Sequence, residues 1–247
     1  MTRAPILAAL AAAALLGGCA YNETLGRSQL LLVDDGALTQ QADAAWAETL
    51  RTQPVSSDAA ANARVRRVGD RIVQAAGLSD RRWDYALFVS DSPNAFVLPS
   101  GKIGVTTGLL ALVRNDDQLA TVLGHEVGHV VARHAAERYS TTALTSTVLR
   151  AGQSLAGDQA RAAGAIGGLG AQLGFLLPFS RNHELEADRL GVDYLQRAGF
   201  RPSEAVALWR LMAAQRQGST PQFASTHPSD ASRIAALEQY IASRGWN

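Results

Sequence analysis

Two histidines four residues apart, His125 and His129, with Glu126 between them, restrict the fold of this 247-residue chain more than any other feature. The segment that carries them starts at Asn115-Asp116-Asp117-Gln118 and reads as one helix running to Tyr139. Asn115 with Gln118 has the form of a capping box, and two aspartates suit the positive end of a helix. Residues four apart share a helical face, so both imidazoles can reach a single ion. Neutral imidazole is a good ligand for zinc. Glu126, about 100° further round the helix, lies beside that ion, where it can hold a water. Gly124 and Gly128 each cost a helix roughly 1 kcal/mol relative to alanine, so something must pack closely against them.

Two imidazoles do not complete a metal site. His134 is out of register with the pair, and Ala132 and Ala135 stand where a longer histidine motif would need glycine and histidine. A carboxylate from a second, facing helix is required. The segment Ser180-Arg181-Asn182-His183-Glu184-Leu185-Glu186-Ala187-Asp188 supplies one, with Ser180 as its cap. Glu184 and Asp188 share a face, so one can bind the ion while the other accepts the second N–H of a liganding histidine. Glu186 points away from both and reads as a solvated acid. His183, about 100° round from Glu184, reads as structural or as part of the rim.

The remaining pattern gives an α+β, mostly α chain. Ser28 to Leu50 and Asp58 to Ala76 carry apolar residues at helical spacing. Trp83 to Ser90 is rich in strand formers. Ala95 to Leu98 and Ile103 to Thr106 flank a Pro99-Ser100-Gly101 turn, which makes a small sheet with a hairpin beside the His125 helix. Helical stretches follow at 107–113, 115–139, 142–156, 159–177, 181–198, 202–217 and 230–243. Residues 140 to 177 are rich in Ala, Gly and Thr but interrupted by Arg150, Asp158 and Arg161. That argues against a membrane span there and suggests a packed helical pair or a mobile flap.

At the amino terminus a short positive region is followed by an apolar run from Ile6 to Leu16, the pattern of a secretory signal. It ends in Leu16-Gly17-Gly18-Cys19, which resembles a bacterial lipobox. That resemblance implies cleavage before Cys19, acylation of this sole cysteine, and a membrane anchor. Ala20 then fits sorting to the outer membrane. The expected organisation is a signal peptide at 1–18, a lipid-anchored tether at 19–27 and one zinc-binding domain at 28–247. Hydrophobic residues make up 47% of the chain and charged ones 18%, so a substantial core is available. Beyond residue 18 basic and acidic side chains balance, and Lys102 is the only lysine. Nucleic acid, which needs a basic footprint, is excluded as a partner.

His125-Glu126-Val127-Gly128-His129 together with the segment from Ser180 to Asp188 resembles the gluzincin metallopeptidases of the HtpX and CAAX prenyl protease type. The resemblance spans about residues 60 to 245 but lacks the membrane helices of HtpX, and it is nearest to the lipoprotein members of bacterial envelopes. It implies a minimal gluzincin domain holding one Zn2+ on His125, His129 and Glu184, with Asp188 as accompanying acid and Glu126 as general base. Asn94-Ala95-Phe96-Val97-Leu98-Pro99-Ser100-Gly101 is similar to the family's substrate-strand segment, with serine where glycine is usual at 100. Asn94, Ala95, Phe96 and Val97 are therefore expected to pair with an extended substrate. Ser225-Thr226-His227-Pro228-Ser229 with the downstream Arg233 also matches. His227 then either stabilises the oxyanion or approaches zinc as a fourth ligand that holds the enzyme closed. The expected activity is hydrolysis of extended or misfolded envelope polypeptides. A chaperone-like outer-membrane assembly factor with a largely closed zinc site, working with envelope assembly machinery, is the alternative.

Overall fold

The computed structural model describes residues 19–156, 179–214, 223, 226–227 and 231–246. The helix expected at 159–177 lies outside them. The architecture is α+β and mostly helical. A three-stranded sheet is built from β3 (Asp84–Phe88), β4 (Ala95–Leu98) and β5 (Lys102–Thr106), ordered β3-β5-β4. β3 runs parallel to β5, and β4 is antiparallel to it. The turn between β4 and β5 needs a positive φ at Gly101, at 79°, and a β-carbon there would stand 2.6 Å from the Arg82 carbonyl oxygen. The glycine requirement falls on 101 and not on 100, which leaves Ser100 compatible with the turn.

Alternation along the strands divides the core in two. Leu87, Ala95, Ile103 and Val105 face a large cluster shared with α2 (Ala59–Ala75), α4 (Asp116–Val131), α6 (Arg181–Arg197), α7 (Ser203–Ala214) and α8 (Ala231–Ser243). On the opposite face Ala86, Phe88, Leu98 and Phe96 pack under Trp46 of α1 (Asp35–Thr52). The short helix α3 (Thr107–Leu112) leads from β5 towards α4, which runs through the middle of the molecule with every residue from Gln118 to His129 buried. Its start follows the sequence: Asn115 Oδ1 accepts from Gln118 N at 2.8 Å, and Gln118 Oε1 accepts from Arg114 N at 2.9 Å.

Two expectations are corrected. In place of a tether to residue 27 and a helix from Ser28, Cys19–Asn22 (β1) pairs antiparallel with Arg27–Leu30 (β2), and α1 begins only at Asp35. Asp34 sets that start by accepting from Gly36 N and Ala37 N. The apolar spacing around Leu30 imitates a helix, but Gln29 is drawn inward by a bond to the Ala132 carbonyl at 2.7 Å. The helix expected to run unbroken to Tyr139 also stops at Val131. Arg133 adopts a φ of 54°, and His134–Ala156 (α5) begins as a separate helix. Among the described residues no helix is long and apolar enough to cross a membrane.

Candidate metal centre and active site

α4 and α6 meet at the centre of the molecule because small residues line both. A β-carbon on Gly128 would stand 2.9 Å from the Ala187 carbonyl oxygen, and one on Gly191 would stand 2.9 Å from His125 N. This close approach, indicated by the glycine spacing, carries Glu184 of α6 to the histidine face of α4. His129 Nε2 lies 3.1 Å from His125 Nε2. The Glu184 carboxylate is 3.4 Å from His125 Nε2 and 3.5 Å from His129 Nε2. His227 brings Nδ1 to 3.2 Å from His125 Nε2 and 3.1 Å from Glu184 Oε1.

These four buried residues offer donor atoms all within 4.8 Å of one another. Tetrahedral zinc, with bonds of about 2.0–2.2 Å, separates its ligands by roughly 3.3–3.5 Å, so the donor set fits that ion. The electrostatics agree. Burial acts to lower the His125 pKa, but bonds to Asp188 and Glu184 outweigh it and raise the imidazole to about 9. The carboxylates thus gather positive charge at this point. His129 is held well below its ordinary value, mainly by burial.

Asp188 Oδ1 lies 2.9 Å from His125 Nδ1 and accepts its N–H, so the proton that a metal ion would displace is the one on Nε2. Arg233, from α8, was not assigned a role from sequence. It donates through Nε to Asp188 Oδ2 at 2.5 Å, reaches Glu184 Oε2 through Nη1 at 2.6 Å, and lies over the Trp209 ring at 4.0 Å. One buried guanidinium therefore orients two carboxylates. Burial alone would push Glu184 up, yet the histidines hold it far below the carboxylate range.

Glu126 is 4% exposed and sits beside this group. Its Oε1 lies 3.1 Å from His227 Nε2, and its carboxylate accepts a bond from the Val97 backbone. Burial raises its pKa, against the opposing pull of His227 and His125. Thr106 N donates to Asn94 O, and antiparallel alternation then turns the main-chain groups of Ala95 and Val97 outward, past the edge of the sheet and towards α4. Among the described residues no strand pairs with that edge. Of the four residues expected along a substrate strand, Ala95 and Val97 thus present main chain to the site, whereas Asn94 bonds Thr106 and Phe96 lies in the Trp46 cluster.

Two residues differ from their sequence reading. Glu186 is not a solvated acid: its Oε2 accepts from His134 Nε2 at 2.9 Å, and Arg27 grips both of its oxygens. His134, out of register as a ligand, lies 2.9 Å from His129 Nδ1 and is fully buried. His183 is structural as read, stacked on His134 at 4.3 Å and bonded to Glu137. Phe179 and Phe223 stack on either side of His227, at 5.3 and 4.6 Å, a slot that no spacing in the sequence announced. Cys19 is exposed at the start of β1.

A mostly helical domain with a histidine pair, an opposed glutamate and a small sheet beside them defines a zinc metallopeptidase architecture. The chain belongs to peptidase family M48, matching the family from residue 59 to 241. It is 41% identical over 179 residues to the mitochondrial metalloendopeptidase OMA1 of Schizosaccharomyces pombe, covering 72% of this chain and 52% of that protein. With the bovine OMA1 it shares 32% identity over 241 residues, 87% of this chain and 45% of the relative. The β-barrel assembly-enhancing protease of Yersinia pestis is 32% identical over 177 residues, 68% of this chain and 36% of the relative. This chain spans about half the length of these relatives, or less.

Proposed function

We propose that this chain is a zinc-dependent endopeptidase that cleaves extended or misfolded polypeptides in a bacterial envelope, with its metal on His125, His129 and Glu184. The observation that carries the reading is the convergence of two imidazole Nε2 atoms and a facing carboxylate, with Glu126 beside them. Zinc bound there supplies Lewis acidity, polarising the scissile carbonyl and acidifying a water molecule. Glu126, held by the Val97 backbone, takes the proton of that water and delivers it to the leaving amine. With the Val97 N–H held by Glu126, the outward main-chain carbonyls of Ala95 and Val97 accept from the substrate backbone, which gives binding with little dependence on side chains.

His227 serves as the gate. In the conformation described its Nδ1 stands within 3.2 Å of both His125 and Glu184, the position of a fourth ligand, and Phe179 and Phe223 hold its ring there. Catalysis requires this ring to withdraw so that substrate enters, after which its Nε2 is able to donate to the oxyanion. The lipobox ending at Cys19 supports anchoring of the exported chain at the outer membrane. The bacterial relatives named for β-barrel assembly support the envelope and, with the buried site, a second reading as an assembly factor whose proteolysis is occasional.

Hydrolysis of an unfolded protein by the zinc-loaded chain, compared with Glu126→Gln, separates these readings. The proteolytic one expects a loss of about 10²–10⁴-fold. Equal rates in the two proteins would overturn it.

A further inference from the structure

The hairpin formed by β1 and β2 is held against the corner between α4 and α5 by polar side chains. Asn22 and Gln29 both donate to the Ala132 carbonyl, which the break at Arg133 exposes. Arg27 forks onto Glu137 at 2.7 and 2.9 Å and onto Glu186 at 2.6 and 2.8 Å. From Glu186 the contacts continue inward, through His134 Nε2 at 2.9 Å and from His134 Nδ1 to His129 Nδ1 at 2.9 Å.

Only one arrangement of protons satisfies this chain while His129 binds metal through Nε2. His129 must carry its proton on Nδ1 and donate it to His134 Nδ1. His134 must then carry its own proton on Nε2, facing the carboxylate of Glu186. With Glu186 turned away, His134 is free to adopt the other tautomer. Two N–H groups would then oppose each other at Nδ1, or His129 would shift its proton to Nε2 and cease to be a ligand.

We infer that the amino-terminal hairpin is a working part of the metal centre: Arg27 fixes Glu186, Glu186 selects the tautomer of His134, and His134 positions His129 as a ligand. Arg27, Glu186 and His134 are positioning residues, and none touches the ion. The inference rests on the metal assignment above and extends it to a segment at the far end of the chain.

The test measures Zn2+ affinity by chelator competition in the full chain, with folding of each metal-free variant checked by circular dichroism. Arg27→Ala, Glu186→Ala and His134→Ala are each expected to weaken zinc binding, by about 10–100-fold for the residues nearest the ligand. His134→Asn is the informative variant, because an amide can turn its oxygen to His129 Nδ1 without help from Glu186. It is expected to retain much of the affinity, and in its background Arg27→Ala and Glu186→Ala should have no further effect. Unchanged affinity in Arg27→Ala and Glu186→Ala would overturn the inference. So would losses that persist undiminished when either substitution is combined with His134→Asn, since they would mark general destabilisation. His125→Ala tests the underlying assignment separately: if it keeps full zinc affinity, the metal reading itself fails.

Discussion

Gly128 packs against Ala187 so closely that a β-carbon would meet the Ala187 carbonyl oxygen at 2.9 Å, and the third nearest atom, Leu190 Cβ, at 3.4 Å. In an open helix interior, glycine to alanine stabilises by about 1 kcal/mol. Here the obstructing atoms are backbone, so Gly128→Ala is expected to destabilise, by about 1–3 kcal/mol, as overpacked cores do. The same displacement separates His129 from Glu184. Thermal unfolding should show a lower midpoint and zinc titration a weaker affinity; a raised midpoint would contradict the packing described.

Arg233 is the buried cation between Glu184 and Asp188, whose side chains are 1% and 3% exposed. Arg233→Ala leaves both carboxylates facing each other without it, which should cost about 3–5 kcal/mol in urea unfolding. Arg233→Lys keeps the charge but loses the planar fork, and its stability should fall between those of the wild type and Arg233→Ala.

Acid should loosen the amino-terminal hairpin before the core. Burial acts to raise the Glu137 pKa, but bonds from His183, Arg27 and Gln29 outweigh it and hold the carboxyl far below its ordinary 4.5. A depressed folded-state pKa contributes stability that is complete above the unfolded value and lost as pH falls through the folded one. Amide exchange in Cys19–Leu30 should therefore speed up, relative to α4, as pH drops below 4.5. In Glu137→Gln the hairpin should exchange faster already at neutral pH, with a flatter acid dependence.

Pairing with the β4 edge makes a claim about substrate backbone. A peptide N-methylated at a residue whose amide faces Ala95 or Val97 loses one hydrogen bond, worth about 1 kcal/mol or roughly a fivefold rise in KM. Methylation one residue along, where the amide points away, should change KM little. Equal effects at both positions would exclude strand addition.

Much of the centre was legible because helical period is a local property: the cap at Asn115, the shared face of His125 and His129, and the pairing of Glu184 with Asp188 are each set within a few residues. What the period does not reveal is which faces are covered. Glu186 does turn away from Glu184, as its spacing requires, but that side of α6 meets His134 and Arg27 instead of water. The role of His134 depended on the turn at Arg133, a left-handed residue that no glycine or asparagine signalled. The hairpin was missed for a related reason, since Leu30, Val33, Ala37 and Leu38 fall at helical spacing while the deciding contacts run from Gln29 to Ala132 and Glu137, far along the chain.

The claim on which the rest depends is that His125, His129 and Glu184 bind one ion together. Equilibrium dialysis against buffered zinc, with wild type and Glu184→Ala side by side, tests it directly. The account predicts one zinc per wild-type chain and no stoichiometric zinc in the variant; equal occupancy in the two would contradict it.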